Sequence, residues 1–164
     1  RPLHEMGQED RLLLEAGALL HDIGQFVSKK SHHRHGEYLV RNGEIPGLNG
    51  RRRDMIAALV RYHNCKSEPQ VQHASYAALN SEWRRQMRLL TALLRIAEKL
   101  ESEHAQRIAN VDVQIVGRRA IFLIRASDGT RLDIAGLERK CDLFEREFHL
   151  KPEFRRDQRK EKVA

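Results

Sequence analysis

The chain has 164 residues, a net charge of +7, 40% hydrophobic residues and 32% charged residues. That length carries one compact domain with its own core, or one domain plus a small appendage. No apolar run approaches the ~18 residues of a membrane span, the first residues lack the apolar stretch of a signal peptide, and two cysteines are too few for a disulfide scaffold; the expectation is a cytoplasmic protein with free thiols at Cys65 and Cys141.

Taken in chain order, Leu12, Leu13, Ala16, Leu19, Leu20 and Ile23 recur at helical spacing and predict a first helix over about 9–23, which Gly24 stops. A core helix should end apolar, yet here His21 and Asp22 stand side by side. A buried charge needs a partner. Two arrangements fit the pair: a structural His–Asp hydrogen bond, or a neutral imidazole and a carboxylate meeting a divalent metal or another charged group.

A second helix is predicted near 32–42, ending at Asn42-Gly43, and a turn-rich connector follows over 44–50. The third helix, about 50–65, carries Met55, Ile56, Leu59, Val60 and His63 along one stripe. After a polar stretch, Ser81 reads as the N-cap of a long helix over about 81–104, with Trp83, Met87, Leu90, Leu94, Ala97 and Leu100 on one face. The pattern then changes to period two. Val111–Val116 and Ala120–Ala126 read as strands, Ser127-Asp128-Gly129-Thr130 as a hairpin turn, and Arg131–Ile134 as a third strand. A last helix near Gly136 carries Leu137, Cys141, Phe144 and Phe148. The fold class is therefore mainly α: a helical domain over 1–106, a small α/β tail over 107–154 (a three-stranded antiparallel meander plus a closing helix), and a charged, disordered tail over 155–164.

Chemistry gathers on the inward faces. His21, Asp22, His35, His63 and Glu98, with Glu101 beside it, form a mixed nitrogen and oxygen set on successive helices. Such a set suits Mg, Mn, Zn or Fe, and a divalent metal lowers the pKa of bound water and neutralises a phosphoryl group. His32 and His33 read as exposed loop groups. Basic clusters at Arg51–Arg53, Arg84-Arg85 with Arg88, and Arg118-Arg119 favour a polyanion, although each also reads as a solvated helix face. Polyphosphate or a phosphorylated nucleotide satisfies that charge. Nucleic acid is disfavoured, because five Phe, three Tyr and one Trp give no aromatic-plus-basic alternation for base stacking.

The segments Leu19–Gly24, Ser31–Val40, Glu44–Leu48, Ala58–His63 and Leu93–Leu100 together resemble the HD superfamily of metal-dependent phosphohydrolases. More narrowly, they resemble the C-terminal HD-like domain of exopolyphosphatase / guanosine pentaphosphate phosphatase proteins, and Val111 to about Phe154 is similar to that family's small α/β tail. The resemblance implies an HD-domain-like helical bundle, metal ligands at His21, Asp22, His35, His63 and Glu98, and phosphate clamps at Arg34, Arg61, Arg95, Arg51 and Arg52. It also implies N-terminal actin-like ATPase-fold domains as partners, in line with the missing initiator Met, and a homodimer. Glu98 stands where the superfamily usually has Asp, and the helix supplying a first His is absent, His4 being the only His upstream. The expected function is a non-catalytic module, inactive alone, that binds polyphosphate in an exopolyphosphatase-type hydrolase. The alternative is an autonomous divalent-metal phosphohydrolase.

Overall fold

The computed structural model describes residues 6–48, 50–64, 69–127 and 130–157. His4, Cys65, Asp128, Gly129 and the tail beyond Asp157 lie outside the described residues. The chain forms two compact units, 1–95 and 96–164, so the division falls inside a long helix and not at the expected step between 106 and 107. Among the described residues no helix is long and apolar enough to cross a membrane.

The first unit is helical. Helix α1 (Gln8–Leu20) is followed by a single 3-10 turn (Ile23–Phe26), α2 (His32–Asn42), α3 (Gly50–Tyr62), a short α4 (Ala74–Ala77) and the start of α5 (Ser81–Leu100). The centre is α3, which packs against α1, α2 and α4. Met55, Ile56, Leu59 and Val60 are buried as their spacing predicts, together with Ala57, Ala58 and Tyr62; a helix surrounded on most sides loses its polar stripe. Residues Met87, Leu90 and Leu94 of α5 join the same core. Asn80, not Ser81, caps α5, its Oδ1 accepting from the Trp83 N–H at 2.9 Å.

Helix α1 departs from its sequence stripe. Leu13 is buried, but Leu12 and Leu19 are 64% and 85% exposed. The buried face instead runs through Asp10, Leu13 and Gly17. Gly17 is small because a Cβ there would meet Leu59 Cδ1 at 2.9 Å, and the helix rotates to bring this notch against α3.

The second unit is a small α/β body. Strands β1 (Ile108–Val116) and β2 (Arg119–Ala126) form an antiparallel hairpin. It turns at Gly117, whose φ of 59° lies in the left-handed region a tight hairpin demands. The third strand is not 131–134. That segment leads into α6 (Ile134–Glu138) and α7 (Asp142–Phe148), and β3 (Lys151–Arg156) follows, parallel to β2. The sheet is therefore mixed, correcting the expected antiparallel meander. A helical crossover returns the chain to the end where β2 began, so the next strand must run parallel. Asp133 decides the outcome locally: its Oδ1 accepts from the Gly136 N–H at 2.9 Å, capping α6, and its Oδ2 pairs with Lys99 Nζ at 2.9 Å. Phe122 anchors the core, 5.1 Å from Phe154 and 5.6 Å from Phe144 between ring centres. Arg155 and Arg156, assigned above to the disordered tail, belong to β3, and the Asp157 N–H donates to Ile124 O at 2.8 Å.

Candidate metal centre

Helix α1 stops at Leu20, so His21 and Asp22 lie in the turn that follows it. Gly24 has an ordinary negative φ among residues with no left-handed geometry, and it does not act as a left-handed helix cap. Its role is close approach: a Cβ there would collide with the His32 carbonyl and the Gly36 N–H of α2. Ser31, at φ 60°, reverses the chain just before α2. These two devices bring the first residue of α2, His32, onto the His-Asp turn.

The result is a convergence of three side chains, with His21 beside them. Among the described residues, Asp22, His32 and His63 each offer a ligand atom, all within 4.8 Å of one another. His32 Nε2 lies 3.4 Å and His63 Nε2 3.7 Å from Asp22 Oδ1, while His21 Nε2 lies 3.6 Å from Asp22 Oδ2. Each imidazole is steered in the same way, its Nδ1 meeting the carbonyl three residues earlier: His21 with Ala18 O at 2.6 Å, His32 with Lys29 O at 3.2 Å and His63 with Val60 O at 2.7 Å. A proton on Nδ1 donates to that carbonyl and leaves Nε2 facing the Asp22 carboxylate, the orientation that backbone carbonyls impose on metal-binding histidines.

Electrostatics match that arrangement. His63 is 1% exposed, and burial pushes its pKa down from 6.5 to about 4 against the opposing Val60 bond, so it is neutral near pH 7. Burial resists ionisation of Asp22, but the Gln25 hydrogen bond and the facing His21, His63 and His32 outweigh it and hold its carboxyl below the usual value. Two imidazole nitrogens and one carboxylate oxygen, with a third imidazole beside them, form a set that suits Zn, Mn or Fe better than the oxygen-seeking Mg. Donors bound at about 2.1 Å around a tetrahedral ion stand roughly 3.4 Å apart, close to the separations here. The residues therefore fit a divalent metal.

Of the predicted ligands, the structure brings Asp22 and His63 together, with His21 beside Asp22 on its other carboxylate oxygen. His35 is half-buried on α2 but outside the converging group, and His32, read from sequence as an exposed loop residue, takes the place beside Asp22. A signal for His32 existed: Gly36 stands four residues on, on the same helix face, and a small residue there marks where α2 meets Gly24. Glu98 belongs to the second unit, where its Oε2 lies 3.9 Å from Lys140 Nζ.

The predicted phosphate clamps also separate. Arg34 and Arg61 line one cleft. Arg51 sits over the Trp83 ring at 4.8 Å, and Arg52 Nε donates to Glu9 Oε1 at 2.8 Å. Arg95 is buried, with its Nε donating to Tyr62 O at 3.0 Å.

With the geometry in place, comparison with known proteins assigns it a lineage. Residues 2–147 match the family described as Ppx/GppA phosphatase, domain III. A guanosine-5'-triphosphate,3'-diphosphate pyrophosphatase of Pseudoalteromonas atlantica is 34% identical over 91 residues, covering 56% of this chain and 17% of that protein. The protein of the same name from Pseudoalteromonas translucida is 37% identical over 51 residues, covering 31% of this chain and 10% of its own length. The chain thus matches a minor part of each relative.

Proposed function

The chain belongs to the Ppx/GppA phosphatase family as its domain III, and from that premise we propose that it is the C-terminal part of a phosphohydrolase acting on phosphoanhydride bonds, carrying a divalent-metal centre that engages phosphate groups. The observation that carries this reading is the meeting of Asp22, His32 and His63 around one point, with His21 on the other carboxylate oxygen. A divalent cation held there supplies Lewis acidity and acidifies a coordinated water. The chain's own residues do the rest. His63, buried and neutral, presents a fixed nitrogen; His21 and His32 are oriented by their backbone carbonyls; Asp22 supplies the anionic oxygen.

A second reading makes the domain a non-catalytic holder of polyphosphate or a guanosine polyphosphate, with the chemistry in other parts of the full protein. What favours it is coverage: the match reaches 17% of a relative named for pyrophosphatase activity. Leu19 and Phe26, 85% and 93% exposed, support homodimerisation or packing on those other parts.

Elemental analysis of the purified chain, paired with phosphate release from polyphosphate with and without added Mn or Zn, separates the readings. Stoichiometric metal and metal-dependent release, both lost in Asp22→Ala, support the first. Stoichiometric metal without release, together with polyphosphate binding that weakens steeply with salt, leaves the second. A metal-free chain that ignores polyphosphate sinks both.

A further inference from the structure

The helix pair that carries the metal centre has other chemistry two residues away. On α2, His32 is followed by Arg34; at the end of α3, Arg61 is followed by His63, which still donates to Leu59 O at 2.9 Å in helical fashion. Two residues turn a helix by roughly 200°, so histidines and arginines leave these helices on different sides. The arginine side is a cleft of about 270 Å³ lined by Arg34, Tyr38, Arg41, Arg61 and His73, with Glu37 beneath them.

The charge of this cleft is unbalanced and its framework is held in place. The lining carries three guanidinium groups and one carboxylate, and with Asp54 paired to Arg41 from outside the lining the cleft keeps one uncompensated positive charge. The lining carboxylate is committed to structure: Glu37 Oε2 accepts from Arg61 Nη1 at 2.5 Å, and Oε1 accepts from Ser75 Oγ at 2.5 Å and from the Ser75 N–H at 3.3 Å. Glu37 and Arg61 are 10% and 13% exposed at the side chain, so the Arg61 guanidinium has a fixed orientation. Arg41 is oriented from behind, its Nε donating to Asp54 Oδ1 at 3.1 Å. His73 Nδ1 meets the Tyr62 hydroxyl, which leaves its Nε2 for a ligand. Guanidinium groups oriented in this way match phosphate oxygens in pairs. The volume lies below the ~300 Å³ at which drug-sized pockets begin and suits one or two phosphate groups.

We propose that the cleft formed by Arg34, Arg41, Arg61 and His73 is a second phosphate-binding subsite, apart from the metal centre, taking a phosphate or diphosphate group of a phosphate-rich ligand. The choice of phosphate over another anion rests on the phosphoanhydride reading given above. The placement of the site rests on the cleft alone.

The test uses the whole chain treated with a chelator, so that the metal centre is silent, and inorganic pyrophosphate as the titrant in calorimetry. Pyrophosphate binds, Arg34→Gln and Arg41→Gln each weaken it about tenfold, and Asp22→Ala leaves it unchanged. Arg34 is exposed, so its replacement leaves the fold intact, as circular dichroism of the variant verifies. Binding that vanishes with the chelator or with Asp22→Ala, and is indifferent to both arginine variants, overturns the subsite while sparing the metal-centre reading. Binding of citrate as tight as pyrophosphate overturns the phosphate assignment. No binding of either anion overturns the subsite, whatever the metal analysis shows.

Discussion

The Nε2 atoms of His32 and His63 face each other at 3.2 Å. With both Nδ1 atoms donating to backbone carbonyls, two lone pairs point at one another across a hydrogen-bond distance. That arrangement is repulsive unless a cation or a shared proton lies between them, and Asp22 Oδ1, 3.4 Å and 3.7 Å from the same two nitrogens, adds a negative charge that attracts one. The expected result follows directly: His32→Ala and His63→Ala lose bound metal, while His35→Ala retains it. Metal content after gel filtration, or competition with a chromogenic chelator, reads the difference. Loss of metal in His35→Ala with retention in His32→Ala would assign the ligand to His35 instead.

Gly24→Ala is expected to loosen the centre without touching a ligand. The added methyl collides with backbone of α2, which cannot swing aside as a side chain can. Overpacking of this kind costs about 1–3 kcal/mol and moves His32 away from Asp22, with metal affinity falling roughly 10–100-fold as for other supporting changes. Gly36→Ala is milder, since its Cβ would meet the Val60 Cγ1 methyl at 2.5 Å. Urea unfolding and metal titration of both variants check the order.

Acid should weaken the metal-free fold in a defined window. The unfolded His63 takes up a proton near pH 6.5, whereas the buried side chain resists protonation down to about 4. Between those values the unfolded chain binds the extra proton. Stability from this residue is therefore complete above about pH 6.5 and falls as pH drops toward 4, by about 3 kcal/mol in all. Urea midpoints of chelated protein across this range, compared with His63→Leu, isolate the slope. A variant that loses as much stability as the parent removes His63 as its source.

Glu37 holds the arginine cleft together, and Glu37→Ala should destabilise the first unit by about 2–4 kcal/mol. The change leaves the Arg61 guanidinium, 13% exposed, without its carboxylate, and buried pairs broken on one side lose of that order. Ser75→Ala removes one hydroxyl donor and costs about 1 kcal/mol. Denaturation midpoints rank the two. Equal small effects would mean water replaces the carboxylate freely.

Cys141 should be inert to alkylation in the folded chain. Its Sγ–H donates to Leu137 O at 3.1 Å, and burial, with Glu145, Asp142 and Glu138 adding to it, pushes the thiol pKa up to about 12. Because the thiolate is the nucleophile, iodoacetamide at pH 8 labels the Cys141 peptide only after denaturation, as mass spectrometry will report. Rapid labelling of native protein would place this helix junction in an open state.

Local patterns were legible where they depend on neighbours in sequence. The spacing of Met55, Ile56, Leu59 and Val60 foretells a buried helix because periodicity of side chains is a property of the helix itself. The β1–β2 hairpin is legible for the same reason, from alternation and a left-handed Gly117. The third strand was misread because Arg131–Ile134 has strand-like residues, and only the capping bond from Gly136 to Asp133 commits the segment to a helix start. Arg155 and Arg156, charged enough to read as tail, are drawn into β3 by pairing with Leu123 and Ile124.

By itself, the sequence determined the mainly helical character, the His21-Asp22 pair, the inward His63 and the likeness to a phosphohydrolase family, since each rests on residue order within a few turns of chain. Only the tertiary structure decided that His32 rather than His35 joins the centre, that Gly24 serves close approach rather than capping, that β3 runs parallel to β2, and that Arg34, Arg41 and Arg61 share a cleft. The physical reason is common to all four. Each depends on how closely and in what direction two elements distant in sequence meet, and that is set by small residues, caps and packing acting at once.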